Sequence, residues 1–294
     1  MGGRCSVRRL NIHHVTEYRF PEPASLLPHR LLLRPRENHN VRIECAELDI
    51  VPAHSVQWKR DVLDNSVAVV SFSEPTDHLC IASNVIIAHY EDNPFDFLLE
   101  DYAVAYPFAY ADAEQAELAA FQQADYPADG EAVRQWLAAM DLGRPDQTIV
   151  LLDRLNRAIA NGFAYQIREE PGVQGPALTL ALNAGSCRDF AALFIEACRG
   201  LGLASRFVSG YLYVEAGEAD SASTHAWAEV YLPGAGWKGF DPTSGTVTGD
   251  RHIAVAVARH PEAVPPVAGS YLGPPTNEPE LSITARVIEL DGKG

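Results

Sequence analysis

The chain has 294 residues, 47% hydrophobic and 21% charged, enough for two modest domains with their own cores. Its 39 acidic and 23 basic residues give a net charge of −16, and the densest basic run, His29-Arg30 to Arg34-Pro35-Arg36, is short and interleaved with leucines, so no nucleic-acid partner is expected. No stretch approaches about 20 uninterrupted apolar residues, and the polar start from Met1 to Leu10 has no apolar signal core, so neither a membrane partner nor export is expected and the location reads as cytoplasmic.

Met1-Gly2-Gly3-Arg4-Cys5-Ser6 fits the Met-Gly-x-x-x-Ser/Thr template for myristoylation, but so short a template carries little weight beside a simple unstructured start. Residues 8–92 then read as an all-β domain. Val41 to Ile50 alternates apolar and polar residues, and Val56 to Arg60, Ser66 to Phe72 and Leu79 to His89 behave similarly. Turn signals at Val51-Pro52-Ala53-His54, Asp64-Asn65-Ser66 and Glu74-Pro75-Thr76-Asp77 separate them, which suggests a small sandwich or barrel. His13, His14, His29 and His39 fall in this unit and read as structural.

From 93 to 147 the chain reads as a helical connector, with Ala-, Glu- and Gln-rich runs at Asp112 to Gln123 and Glu131 to Met140. Residues 148–294 carry the chemistry. Thr148 to Ala160 is an amphipathic helix, followed by a loop through Pro171, Gly172, Gly175 and Pro176. Cys187 to Arg199 is the next helix, stopped by Gly200 and Gly202. Leu203 to Val214, His225 to Leu232 and Gly236 to Phe240 are strands. The proline-rich tail is largely loop, and a last strand spans Leu281 to Leu290.

Five cysteines, widely spaced and without a Cys-x-x-Cys, indicate neither a disulfide framework nor a zinc site. Cys187 is distinctive because a loop delivers it to a helix start, where unpaired N–H groups and the helix dipole favour an anion. The thiolate is the reactive form, so this thiol is a candidate nucleophile, and its own N–H is a candidate oxyanion donor. Cys198, about three turns on, sits among apolar residues and reads as core.

Thr224 to Leu232 alternates strictly, with Ala226, Ala228, Val230 and Leu232 on one face and His225, Trp227, Glu229 and Tyr231 on the other. His225 opens this strand beside a loop, Glu215 to Ser223, rich in small and acidic residues. Pro233-Gly234-Ala235-Gly236 turns the chain back, so Asp241 lies near His225 on the neighbouring strand. A thiol, an imidazole and a carboxylate in these places have defined roles: nucleophile, base, and the group that orients the base and supports its charge.

Three blocks, Gly185-Ser186-Cys187-Arg188-Asp189-Phe190-Ala191, Ser223 to Tyr231 and Gly236 to Thr243, resemble the signature blocks of the bacterial transglutaminase-like superfamily. The resemblance extends to Arg206 to Leu212, to His252-Ile253-Ala254-Val255-Ala256 and, upstream, to His14 to Phe20 with Pro28 to Leu31, so it spans nearly the whole chain. It implies an α+β protein: an N-terminal β-sandwich-like domain followed by a papain-like core, a Cys-bearing helix packed on an antiparallel sheet, with a triad of Cys187, His225 and Asp241. Ala258-Arg259-His260-Pro261 departs from the usual Gly-Arg-Asp-Tyr, away from the triad blocks. Tyr165 stands where the family often places an aromatic near the site and is a candidate oxyanion donor, with packing as the alternative. Trp227 and Trp237 are candidate groove walls, with core packing as the alternative. Arg188 and Asp189 are expected to brace the helix start.

The resulting expectation is acyl transfer through a thioester on a peptide or protein substrate, without cofactor or metal. Hydrolysis of a peptide or glutamine-type amide is favoured over transamidation, since water is abundant and an amine channel must be built. A silent scaffold would lack one of the triad residues. A metal-dependent hydrolase would need a ligand spacing such as His-Glu-x-x-His, and none occurs.

Overall fold

The computed structural model describes residues 7–90, 93–140, 147–168, 170–215, 224–274 and 276–290. The Met1–Ser6 template and residues 216–223 of the loop before His225 lie outside the described residues.

Six strands open the chain: β1 (Arg8–Leu26), β2 (His29–Leu31), β3 (Val41–Val51), β4 (His54–Arg60), β5 (Ser66–Phe72) and β6 (Thr76–His89). The period-2 patterns therefore give strands where expected, and the long β1 supplies the segment that periodicity left unassigned. β1 pairs along its length with β6, and β6 pairs with β3; β2, β5 and β4 form a second sheet. Phe20, Ala24, Leu26, Leu79 and Ile81 of the first sheet meet Leu31, Leu33, Ala68 and Val70 between the two sheets, which makes the unit a sandwich.

The β1–β6 ribbon is longer than this sandwich needs. Leu10 and Ile12 of β1 and Val85 and Ile87 of β6 lie further along the ribbon and join the core of the C-terminal unit instead. One strand pair thus serves two cores and fixes one unit against the other.

The helices are α1 (Asp101–Val104), α2 (Asp112–Gln122), α3 (Gly130–Ala139), α4 (Thr148–Gly162), α5 (Pro176–Leu182) and α6 (Cys187–Gly200). α5 falls in the segment expected to be loop; Pro176 supplies the fixed φ of a first helical position and Asn183, at φ 52°, ends the helix in the left-handed region. The helix α3, expected on the surface, buries Val133 in the main core.

Two short parallel strands, β7 (Ala164–Tyr165) and β8 (Ala184–Gly185), precede α6. The main C-terminal sheet has the order β12-β11-β10-β9-β13, from β9 (Ser205–Leu212), β10 (Thr224–Leu232), β11 (Gly236–Asp241), β12 (Thr246–Val247) and β13 (His252–Ala258). Its pairings are antiparallel. Ala226, Ala228, Val230, Leu232 and Phe240 share one core with Phe190 and Phe194 of α6, and the Phe194 and Phe240 rings stack at 5.6 Å. The Cys-bearing helix lies on an antiparallel sheet, as the resemblance implies.

The tail departs from the expected boundary of a 148–294 unit. β14 (Val267–Ala268) pairs with β2, and β15 (Tyr271–Leu272) and β16 (Glu280–Glu289) pair with β1. Residues from 267 onward therefore complete the N-terminal sandwich, because β1 otherwise leaves one edge of hydrogen-bonding groups open.

A polar clamp joins the units. The buried Asn65 amide donates from Nδ2 to Val257 O at 2.8 Å and accepts at Oδ1 from Val257 N–H at 2.9 Å, so a side chain replaces the neighbouring strand that edge strand β13 lacks. Arg36 completes it, donating from Nη1 to Asn65 Oδ1 at 2.8 Å and from its N–H to Ala254 O at 2.8 Å.

Candidate active site

The start of α6 is assembled around Asp189. Its carboxylate is fully buried and accepts from Ser186 N–H and Ser186 Oγ at 2.8 Å each, from Gln174 N–H at 2.8 Å, and from Arg168 Nη1 at 2.8 and 3.0 Å. Ser186 and Asp189 thus form the reciprocal capping arrangement of a helix start, with aspartate in place of the longer glutamate. Gly185 allows the close packing: a Cβ there would sit 3.0 Å from Asp189 Cβ. Arg188 donates from Nη2 to Arg168 O at 3.1 Å and to Glu170 O at 2.5 Å, tying the preceding loop to the same turn. Both residues brace the helix start as expected, and Cys187 stands partly exposed at its first position, among N–H groups that have no partner within the helix.

The β10–β11 hairpin carries the other two groups. Its register runs from Leu232 opposite Gly236 to Ala228 opposite Phe240, which sets Asp241 one residue further toward the His225 end. His225 Nε2 is 2.9 Å from Asp241 Oδ2, and Cys187 is near enough to act on the titration of the same ring. Asp241 is 1% exposed and is held further by Thr243 N–H on Oδ1 at 2.9 Å and by Ser244 Oγ on Oδ2 at 2.8 Å.

Burial alone would lower the His225 pKa, but the hydrogen bond to Asp241 and the influence of Asp241 and Cys187 outweigh it, and the imidazole is pushed up to about 10. For Asp241 burial acts upward, yet the hydrogen bonds from His225 and His252 hold the carboxyl well below the usual carboxylate range. Both directions describe an imidazolium beside a carboxylate.

Tyr165 is brought to the same place. β7 runs parallel to β8 with Tyr165 opposite Gly185, which brings the phenol near enough to Cys187 for the two to influence each other's charge. Burial, and then the nearby Cys187 and Asp241, raise this phenol, which therefore keeps its proton and can donate it. The residue is 52% exposed, so solvent reaches the thiol's surroundings on this side.

The two tryptophans are not groove walls. Trp227 is 2% exposed and packs with Val208 and Val257 against Leu63, where the N-terminal unit covers that face of the sheet. Gly210 makes room for it, since a Cβ there would meet the indole at 2.7 Å. Trp237 sits opposite Tyr231, six residues and about 20 Å along β10 from His225. There it packs on Phe121 and Tyr231 with Arg206 over its ring at 4.2 Å.

Two residues that sequence reasoning missed stand beside the triad. Arg168 pairs with Asp189 as described, and His252 Nε2 approaches Asp241 Oδ2 at 3.3 Å. His252 was visible only as part of a matching block; β13 pairs with β9 at the sheet's far edge, and nothing local predicts its reach to Asp241. The ligand atoms of His225, Asp241 and His252 lie within 4.8 Å of one another, a spacing that a divalent cation also accepts. The departing Arg259 belongs elsewhere: its Nη1 pairs with Asp125 Oδ1 at 2.6 Å, and its carbonyl accepts from Arg199 near the opposite end of α6.

Comparison with known proteins agrees with this fold. Residues 10–88 match the bacterial transglutaminase-like N-terminal region and residues 135–242 match the transglutaminase-like superfamily. The chain belongs to the transglutaminase-like superfamily, which supports a cysteine-based enzyme in general. An uncharacterized protein of Mycobacterium tuberculosis is 29% identical over 301 residues, covering 97% of this chain and 94% of that protein. One from Mycobacterium leprae is 24% identical, covering 96% and 99%. The crystal structure of a candidate cysteine protease from Cytophaga hutchinsonii is similar in fold, with a TM-score of 0.75 at 18% identity over 98% of this chain and 93% of that one. No helix among the described residues is long and apolar enough to cross a membrane.

Proposed function

We propose that the protein hydrolyses amide bonds of peptides or glutamine-type side chains through a thioester on Cys187, with His225 as acid and base and Asp241 orienting it. The observation that carries this reading is the imidazole of His225 held by Asp241 Oδ2 at 2.9 Å, with Cys187 near enough to help raise its pKa. The Cys187 thiolate attacks the amide carbon, and the carbonyl electrons move onto oxygen. The N–H groups at the start of α6 and the Tyr165 hydroxyl stabilise that oxyanion. The imidazolium gives its proton to the amide nitrogen, the C–N bond breaks and an amine leaves. His225, now neutral, takes a proton from water, whose oxygen attacks the thioester; the C–S bond breaks, and the carboxylic acid leaves with the thiolate restored.

Water is favoured as the acceptor because Cys187 and Tyr165 are both partly open to solvent and neither Trp227 nor Trp237 walls a channel beside the thiol. The test is a peptide and glutaminyl-peptide library in water enriched in oxygen-18, with a primary amine present. The reading predicts carboxylate products carrying the heavy oxygen and an acid-trapped acyl adduct on Cys187. Amine conjugates as the main product would assign a transamidase, and the absence of any adduct would leave a binding module.

A further inference from the structure

His252 touches the proposed triad, yet the reaction as written gives it no task. It opens β13, beyond β9 from His225 in sheet order, but its Nε2 reaches the same carboxylate oxygen that His225 Nε2 reaches. Its other nitrogen, Nδ1, accepts from the N–H of Gly249 at 3.4 Å, while the His252 N–H donates to Gly249 O at 2.9 Å. A ring nitrogen that accepts from a backbone N–H carries no proton. The tautomer that suits both contacts carries its proton on Nε2, and Nε2–H donates to Asp241. Trp227 holds it edge-on at 5.3 Å between centroids, and the side chain is 9% exposed.

The titratable and charged groups around it come from several elements. Asp241 lies on β11 and His225 on β10, with ring centroids of the two histidines 6.1 Å apart. His89 on β6 hydrogen-bonds the backbone of His252 and also feels Asp250 and Arg8, which pair with each other at 2.7 Å. Arg251 precedes it in the chain. Of these, only Asp241 receives the Nε2 proton.

We propose that His252 is a positioning residue: its Nε2–H fixes Oδ2 of Asp241 and, by drawing charge from that oxygen, limits how tightly the carboxylate holds the His225 imidazolium. The inference rests on the triad proposed above. An imidazolium bound too tightly is a poor acid toward the leaving nitrogen, so a competing donor on the same oxygen keeps the proton transferable. A residue that merely packed would leave the opposite signature, because loosening Asp241 weakens its hold on the imidazolium.

The test isolates the Asp241–His225 pair by capping Cys187 as its methyl disulfide, which removes the thiolate, and following the His225 ring nitrogens by NMR as pH is raised. His252→Phe keeps a ring against Trp227 and deletes the donor; the His225 midpoint is expected to move up by about one pH unit, the size of one lost hydrogen bond to a charged group. His252→Gln, whose amide nitrogen reaches the Nε2 position, is expected to restore the wild-type midpoint. An unchanged or lower midpoint in His252→Phe overturns the proposal. If that variant does not fold, His252→Asn, whose amide falls short, replaces it, and equal midpoints for Asn and Gln overturn the proposal. In uncapped protein, Cys187 alkylation that is indifferent to His225→Ala defeats the triad itself. Alkylation slowed by His225→Ala, with no upward shift in His252→Phe, defeats only the role of His252.

Discussion

Arg168 and Asp189 form an ion pair, Nη1 to Oδ1 at 2.8 Å, that anchors the loop after β7 to the first turn of the helix bearing Cys187. The carboxylate is buried while the guanidinium reaches solvent, so removing Arg168 strands a charge. Arg168→Met is expected to cost about 3 kcal/mol of stability. It should also make residues 166–175 sensitive to limited proteolysis before the rest of the chain. Equal stability and an unchanged digest would show that Ser186 and Gln174 suffice to hold Asp189.

Asn65 and Val257 exchange two hydrogen bonds across the two units. Asn65→Leu leaves both backbone groups of Val257 buried without partners, and a loss of about 2–4 kcal/mol is expected. Hydrogen exchange reads this directly, since the Val257 amide should exchange faster while the Phe194 amide within α6 should change far less. Acceleration of both alike would mean that the units unfold as one.

His14 is a buried, neutral histidine between the units, with Nε2 2.9 Å from Thr16 Oγ1 and Nδ1 3.1 Å from the Tyr211 hydroxyl. Burial, with His13 beside it, lowers its pKa from 6.5 to about 4. The unfolded chain therefore takes up this proton first as pH falls. The stability it contributes is complete above pH 6.5 and is lost on descending from 6.5 to about 4, a change of about 3 kcal/mol from this residue. Urea unfolding at pH 7.5 and 4.5 should show a smaller difference in His14→Gln than in the unaltered protein. An equal difference would place the acid sensitivity elsewhere.

Asp241→Asn retains the size of the side chain but loses the charge that supports the His225 imidazolium. Turnover on any amide substrate is expected to fall roughly 10³- to 10⁴-fold. The His225 NMR titration should move to lower pH, because the principal group raising it is gone. A large fall in turnover without that movement would point to a folding defect, for which the far-UV spectrum is the check.

The Cys-His-Asp arrangement was legible because each piece is local: a glycine-serine entry to a helix places Cys187, and one tight hairpin brings Asp241 to His225. The inward face of β10 was legible too, since Ala226, Ala228 and Val230 alternate with polar neighbours. The outward face was not. Trp227 has the same alternation whether it walls a groove or meets another domain, and only tertiary packing on Leu63 decides between them. His252 escaped notice because pairing β13 with β9 is a non-local choice. The return of β14, β15 and β16 to the first sandwich is equally invisible to periodicity, since two of these strands have only two residues each. Helix α5 was hidden because a seven-residue helix is too short to display a repeat.

The most direct test of the central claim is the rate of Cys187 alkylation by iodoacetamide across pH 5–9, read by mass spectrometry, in the unaltered protein and in His225→Ala. Cys198 is the internal reference, since burial keeps its thiol protonated. At pH 6 an unassisted thiol is less than about 1% thiolate. The account predicts that Cys187 alkylates rapidly at that pH and that His225→Ala slows it by at least about tenfold, the fold being retained. A Cys187 rate that climbs with pH as a free thiol's does, and is the same in both proteins, would contradict it.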